Sequence, residues 1–189
     1  PAYDVRALFR KLPLLELDQA MGCELPAYRD YVRHSTYDEY WKALSIRDKY
    51  GAIGMPVLLV GGWYDYYPGQ NFANYLGLVE NAPSAELRRS HRVIVGPWSH
   101  GINTASHLGQ LDFGPDAVID ARELYLRWFD RTLKTKQPPP EDEAPIRLFV
   151  MGRNQWRDEW EWPLARTRYV SFHLHSRGRA NSLCGDSRL

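Results

Sequence analysis

The sequence has 189 residues, of which 44% are hydrophobic, 13% aromatic and 25% charged. That suffices for one globular domain or slightly more, and it excludes a disordered, collagen-like or low-complexity chain. A net charge of +1 supplies no field to attract nucleic acid or an anionic membrane, and no apolar run approaches the ~18 residues that cross a bilayer.

The opening PAYDVRALFRKLPLLELD is interrupted by charges and lacks the apolar stretch of a signal peptide. The first residue is Pro1, as in a trimmed product or in a segment from inside a longer protein, and a leader peptide, if there is one, lies upstream of it. Cys23 and Cys184 are the only cysteines. They are too few for a disulfide framework or a zinc site, and two free thiols favour a reducing compartment such as the cytoplasm.

Residues 1–50 read as short helices and loops. Leu8, Leu12 and Leu15 fall on one helical face that Pro13 interrupts, and Tyr31, Tyr37, Tyr40 and Trp41 sit among charges. The apolar run Met55–Val60, closed by Gly61 and Gly62, predicts a strand buried on both faces of a parallel sheet. A Pro/Gly loop follows, then a helix over 70–81 with Phe72, Tyr75, Leu76 and Val79 on one face. Arg92–Val95 predicts a second strand, ended by Gly96-Pro97. A helix over 117–134, started by Pro115-Asp116, carries the stripe Val118, Ala121, Leu124, Tyr125, Trp128, Phe129 and Leu133. Strand–helix–strand–helix order implies an α/β layer with right-handed crossovers.

The composition then shifts. Residues 137–144 contain three prolines and a run of acids, the makings of a linker. Residues 146–151 and 168–175 read as strands, the second with Val170, Phe172 and Leu174 opposite Tyr169, Ser171, His173 and His175. So few strands do not make a stable domain, so this segment looks unfinished. Unpaired edges and apolar faces also predict self-association into homo-oligomers.

Two ionisable residues follow strand ends: Asp65 after the first strand and His100 after the second. Ligands of an open parallel sheet gather at that edge. A carboxylate beside an imidazole there makes a base and its orienter, the alternative being a loop Asp and a surface His.

The stretches Met55–Asp65, Val95–His100, Phe129-Asp130 and Arg147–Arg157, with His34, Asp38, Tyr40 and Trp41 upstream, resemble the CocE/NonD hydrolases. This family includes cocaine esterase, α-amino acid ester hydrolases and glutaryl-cephalosporin acylase and is related to the X-Pro dipeptidyl peptidases. The resemblance runs from about residue 10 to the end. It implies a partial α/β-hydrolase fold followed by the beginning of a β jelly-roll domain. Residues 1–50 would end the helical cap, 51–136 form the C-terminal part of the hydrolase domain, 137–144 link, and 145–189 start the jelly roll. It also implies a Ser–Asp–His triad in that chain order. Asp65, in Gly-Trp-Tyr-Asp, matches the acid, and His100, in Gly-Pro-Trp-Ser-His, matches the base.

The serine is not in this chain. No G-x-S-x-G occurs, and Ser35, Ser45, Ser84, Ser90, Ser99 and Ser106 all lack the flanking glycines. In the family the serine lies upstream of the cap, and so does the tyrosine of the oxyanion hole. The implied activity is cleavage of a small-molecule ester or amide through an acyl-enzyme, without a cofactor. By itself this chain is expected to give no specific esterase turnover. Removal of X-Pro dipeptides is one alternative, and a non-catalytic remnant or binding module is the other.

Trp63, Tyr66, Tyr67 and Trp98 flank the loops of the pair and are candidates to line an acyl pocket, or else to pack beneath it. His100 and His107, with Asp112 and Asp116, match no metal-ligand spacing, so no metal is expected. Trp156, Trp160 and Trp162 read as packing between segments, and the arginines of the tail (Arg166, Arg168, Arg177, Arg179, Arg188) as a solvated surface rather than a nucleic-acid site.

Overall fold

The computed structural model of this protein describes residues 4–103, 105–180 and 183–186. Residues 4–52 are short helices. α1 (Val5–Leu8) is capped by Asp4, whose carboxylate accepts from the Arg6 and Ala7 amides. α2 spans Leu17–Ala20, and α3 (Pro26–Arg33) starts with a proline at its first position, where a missing N–H costs nothing. α4 (Glu39–Leu44) is capped by Asp38 through the Tyr40 amide.

β1 (Leu58–Gly62) leads into α5 (Pro68–Glu80), again opened by a proline. α6 (Ala85–Ser90) is capped by Ser84 and carries Arg88 and Arg89 in its last turn. β2 (Arg92–Gly96) is buried along its whole length. A small hairpin of β3 (His107–Leu108) and β4 (Leu111–Asp112) precedes α7 (Ala121–Phe129), and β5 (Ile146–Val150) and β6 (Gln155–Glu159) complete the order.

The main sheet runs β1-β2-β5-β6, with β1, β2 and β5 parallel and β6 antiparallel. Phe72 and Tyr75 of α5 pack on Val93, Val95, Ile146 and Leu148, and Leu76 and Val79 join them, so the expected helical face meets one side of the sheet. On the other side Phe149 packs on Phe113 and Ala117. Among the described residues no helix is long and apolar enough to span a membrane.

Three expectations are corrected. The boundary at 145 does not separate two sheets: the Val93 amide donates to Pro145 O at 3.0 Å, and β5 continues the parallel sheet beside β2. The proline-rich segment is thus a crossover within one layer, and Ile146, Leu148 and Phe149 are buried because both faces of β5 are covered. Secondly, the alternating run 168–175 forms no strand; only His175 makes an isolated bridge, and Val170, Phe172 and Leu174 are exposed. No jelly roll forms among the described residues.

Thirdly, the helix expected over 117–134 starts later. Pro115–Ala117 is a separate 3-10 turn, Val118 is extended, and Asp120 is the true cap, accepting from the Glu123 amide at 2.9 Å. After Phe129 the backbone widens into a π-helical stretch, Asp130–Thr135, which ends at Lys136 in the left-handed region. Of the expected stripe only Trp128 is buried, while Tyr125, Phe129 and Leu133 face solvent.

Candidate active site

The pairing of β1 with β2 positions the site. Beyond the strand ends the ladder continues, from the Trp63 amide to Gly96 O (2.9 Å) and from the Tyr64 amide to Trp98 O (3.0 Å). The strands approach so closely that a Cβ on Gly62 would lie 2.0 Å from Trp98 O, so only glycine fits there. The Asp65 amide then closes a turn onto Gly62 O at 3.1 Å, which aims the Asp65 carboxylate across the sheet edge.

His100 Nδ1 lies 3.0 Å from Asp65 Oδ1. An ionised carboxylate has no proton to give, so Nδ1 carries the hydrogen and donates it, leaving Nε2 as the free lone pair. The two side chains differ sharply in environment: Asp65 is 6% exposed and His100 is 70% exposed. The carboxylate is held inside the loop, and the imidazole stands at the surface.

Burial is the largest influence on Asp65 and pushes its pKa up. The His100 hydrogen bond and the Tyr66 and Tyr67 amides outweigh it, so the carboxyl sits below its ordinary 3.8. The carboxylate therefore contributes stability above pH 3.8 that is lost as pH falls through the lower folded value. A ¹³C-detected titration of Asp65 should give a midpoint below 3.8. In His100→Ala that midpoint should rise, because burial is then opposed by the amides alone. An unmoved midpoint would detach the two groups electrostatically.

Of the four aromatic candidates, Tyr66 and Tyr67 stand beside the base, their rings 6.1 and 6.2 Å from the His100 ring, and both are exposed. Trp63 and Trp98 are both tied into the fold. Trp63 packs on the α5 core and its indole donates to Phe149 O at 2.8 Å; Trp98 is buried and donates to Ala117 O at 2.7 Å. Each indole N–H finds a backbone carbonyl inside the fold, which fixes the ring there.

His107 lies on the exposed β3–β4 hairpin opposite Asp112. Among the described residues no group of three His, Cys, Asp or Glu side chains could hold a metal. His173 and His175 are exposed. Trp162 stacks on Phe72 (3.9 Å between ring centroids), and Trp156 meets Phe149 edge to face (5.4 Å). In the upstream helices His34 Nδ1 bonds Asp38 Oδ2 at 2.6 Å while its ring stacks on Tyr40, and that bond is the main reason Asp38 sits below the usual carboxylate range. The sequence carried no signal for the ion cluster of the buried Arg92 with Glu143 and Arg131, because a lone arginine at a strand start has no motif.

The chain is similar to several known proteins. Cocaine esterase of Rhodococcus sp. (strain MB1 Bresler) is 33% identical over 190 residues, which cover 98% of this chain and 32% of that protein. The chain therefore spans about a third of that relative. Among solved structures, an α-amino acid ester hydrolase superposes with a TM-score of 0.61 at 25% identity, over 79% of this chain and 25% of the other. An aminopeptidase from the marine sediment archaeon Thaumarchaeota archaeon superposes with a TM-score of 0.69 at 24% identity, over 87% and 27% of the two chains, and shares the fold. The profile of the X-Pro dipeptidyl-peptidase (S15 family) matches residues 7–102, a stretch that includes both Asp65 and His100. By that match, over half its length, the chain belongs to the S15 family.

Proposed function

We propose that this chain supplies the base and the orienting acid of a serine hydrolase that cleaves ester or amide bonds through an acyl-enzyme. The observation that supports it is the 3.0 Å contact of His100 Nδ1 with Asp65 Oδ1 at the carboxyl ends of two neighbouring parallel strands. With Nδ1–H held by Asp65, His100 Nε2 takes the proton of an attacking serine carried outside this chain. Asp65 stabilises the imidazolium that forms. The same Nε2–H then protonates the leaving alkoxide or amine, and the cycle repeats with water on the acyl-enzyme. Tyr66 and Tyr67 flank the base and border the space for the acyl group.

The relatives named above favour small-molecule esters as substrates, and the family match keeps dipeptide release from X-Pro peptides as the second reading. The test begins with the coding DNA upstream of residue 1. An in-frame G-x-S-x-G is expected, and the product that carries it should react stoichiometrically with a fluorophosphonate, while these 189 residues alone should not. Parallel assays with phenyl esters and an X-Pro anilide then choose between esterase and peptidase. Stoichiometric labelling of the isolated chain, or a continuous product that resists the probe, would overturn the reading.

A further inference from the structure

Arg92, the first residue of β2, lies at the opposite end of that strand from the Asp65–His100 pair, about 13 Å or more away at ~3.3 Å per residue. It is only 6% exposed. Its Nη1 donates to the His91 and Arg89 carbonyls, and its Nη2 lies 3.6 Å from Glu143. Its Nε–H is buried and has no acceptor. A buried, unmatched N–H on a cation is costly, so an acceptor oxygen that reaches it is favoured.

Arg92 borders a cavity of about 360 Å³ between α5, the end of α6 and the proline-rich crossover. That volume falls within the range of small-molecule sites, roughly 300–1,000 Å³. Two more guanidinium groups stand around it. Arg88 is anchored by its Nε to Val79 O at 3.0 Å, and Arg89 is exposed. Of the two acids on the wall, Glu143 is already engaged by Arg131 and Arg92, which leaves Glu141 at the rim. The remaining wall is flat and apolar: the Tyr75 ring, Val79, prolines of the crossover, and Trp160, whose indole is 61% exposed although it borders a cavity. Three guanidinium groups among aromatic and proline walls fit one class of ligand, an anion on a planar apolar body.

We infer that this cavity, distinct from the candidate active site and independent of the hydrolase reading, binds a small aromatic monocarboxylate, with its carboxylate on Arg92 and the rim arginines and its ring against Trp160. The probe is phenylacetate, titrated into the full 189-residue chain and followed by ¹⁵N NMR of the arginine Nε–H and tryptophan indole signals. Saturable shifts of the Arg92 Nε–H and the Trp160 indole are expected. Phenylacetamide, which keeps the shape without the charge, should bind about tenfold or more weakly. Arg92 is buried and its replacement would disturb the fold; the variants are therefore Arg89→Ala and Trp160→Ala, both at exposed positions. Each should weaken phenylacetate about tenfold while leaving the remaining spectrum unchanged. The proposal is overturned if phenylacetate leaves both reporter signals unmoved, if the amide binds equally well, or if Trp160→Ala binds as the parent does.

Discussion

Replacing His100 by Ala, in a protein that carries this chain together with the attacking serine, is expected to lower kcat for ester hydrolysis by about 10⁶-fold, and Asp65→Asn by about 10⁴-fold. KM should change little, because neither group is assigned to substrate binding. The asymmetry follows from the geometry. In the proposed mechanism His100 performs the proton transfer, whereas Asp65, nearly buried and bonded to Nδ1, sets the tautomer and steadies the charge that appears on the ring. Asparagine keeps the shape but can present its amide N–H to Nδ1, which then moves the imidazole proton to Nε2 and blocks the base. The double variant should be no slower than His100→Ala alone, since the two act as one unit. A His100→Ala enzyme within tenfold of its parent, with an unchanged melting temperature, would remove this residue from the mechanism.

Trp98→Ala is the substitution expected to cost most in stability, about 3–5 kcal/mol for a large buried aromatic. For a chain of this length that lowers Tm by roughly 6–20 °C in a thermal melt. Trp98 fills the space over Gly96, where even a methyl group would meet ring atoms at 2.3–2.5 Å, and its indole N–H satisfies Ala117 O. Trp98→Phe keeps most of the ring and loses the hydrogen bond, so it should cost about 1–3 kcal/mol, chiefly from the orphaned carbonyl. Because Trp98 O also accepts the Tyr64 amide, and His100 is two residues on, the Ala variant should loosen the Asp65–His100 contact as well. A melt within about 3 °C of the parent would mean that the site refills without the ring.

The parts read best from sequence are those whose physics is local. Met55–Val60 and Arg92–Val95 are apolar runs stopped by glycine, and both form strands, the first starting three residues late and ending two late, the second one residue longer. The 70–81 helix has its period, and it forms over Pro68–Glu80, with its first residues taken from the expected Pro/Gly loop. Asp65 and His100 could be singled out because each directly follows a strand, and parallel strands bring their carboxyl ends to one edge. What escaped depends on distant partners. That β5 pairs with β2 is written in neither strand, and a proline- and acid-rich crossover has the same composition as a domain linker. Trp63 and Trp98 resemble pocket aromatics until their acceptors, Phe149 O and Ala117 O, are located 86 and 19 residues away. The late start of α7 turned on Asp120 outcompeting Asp116 as a cap, a choice made by the Asn103 side chain, which bonds both polar groups of the Ile119 backbone and holds the chain out of the helix there.

The Asp65–His100 contact also acts as a vernier on strand alignment. Its two members are 35 residues apart and meet only because Leu58 lies opposite Arg92, Leu59 opposite Val93, and so on to the strand ends. Sliding β1 past β2 by a single residue would carry the imidazole about 3.3 Å along the sheet and turn alternate side chains to the opposite face. Such a mis-threaded chain would keep its helices and much of its buried surface, and its circular dichroism would change little, yet it would have no base in reach of its acid. The contact at this edge therefore reports on shear between two strands that bulk spectroscopy would pass over.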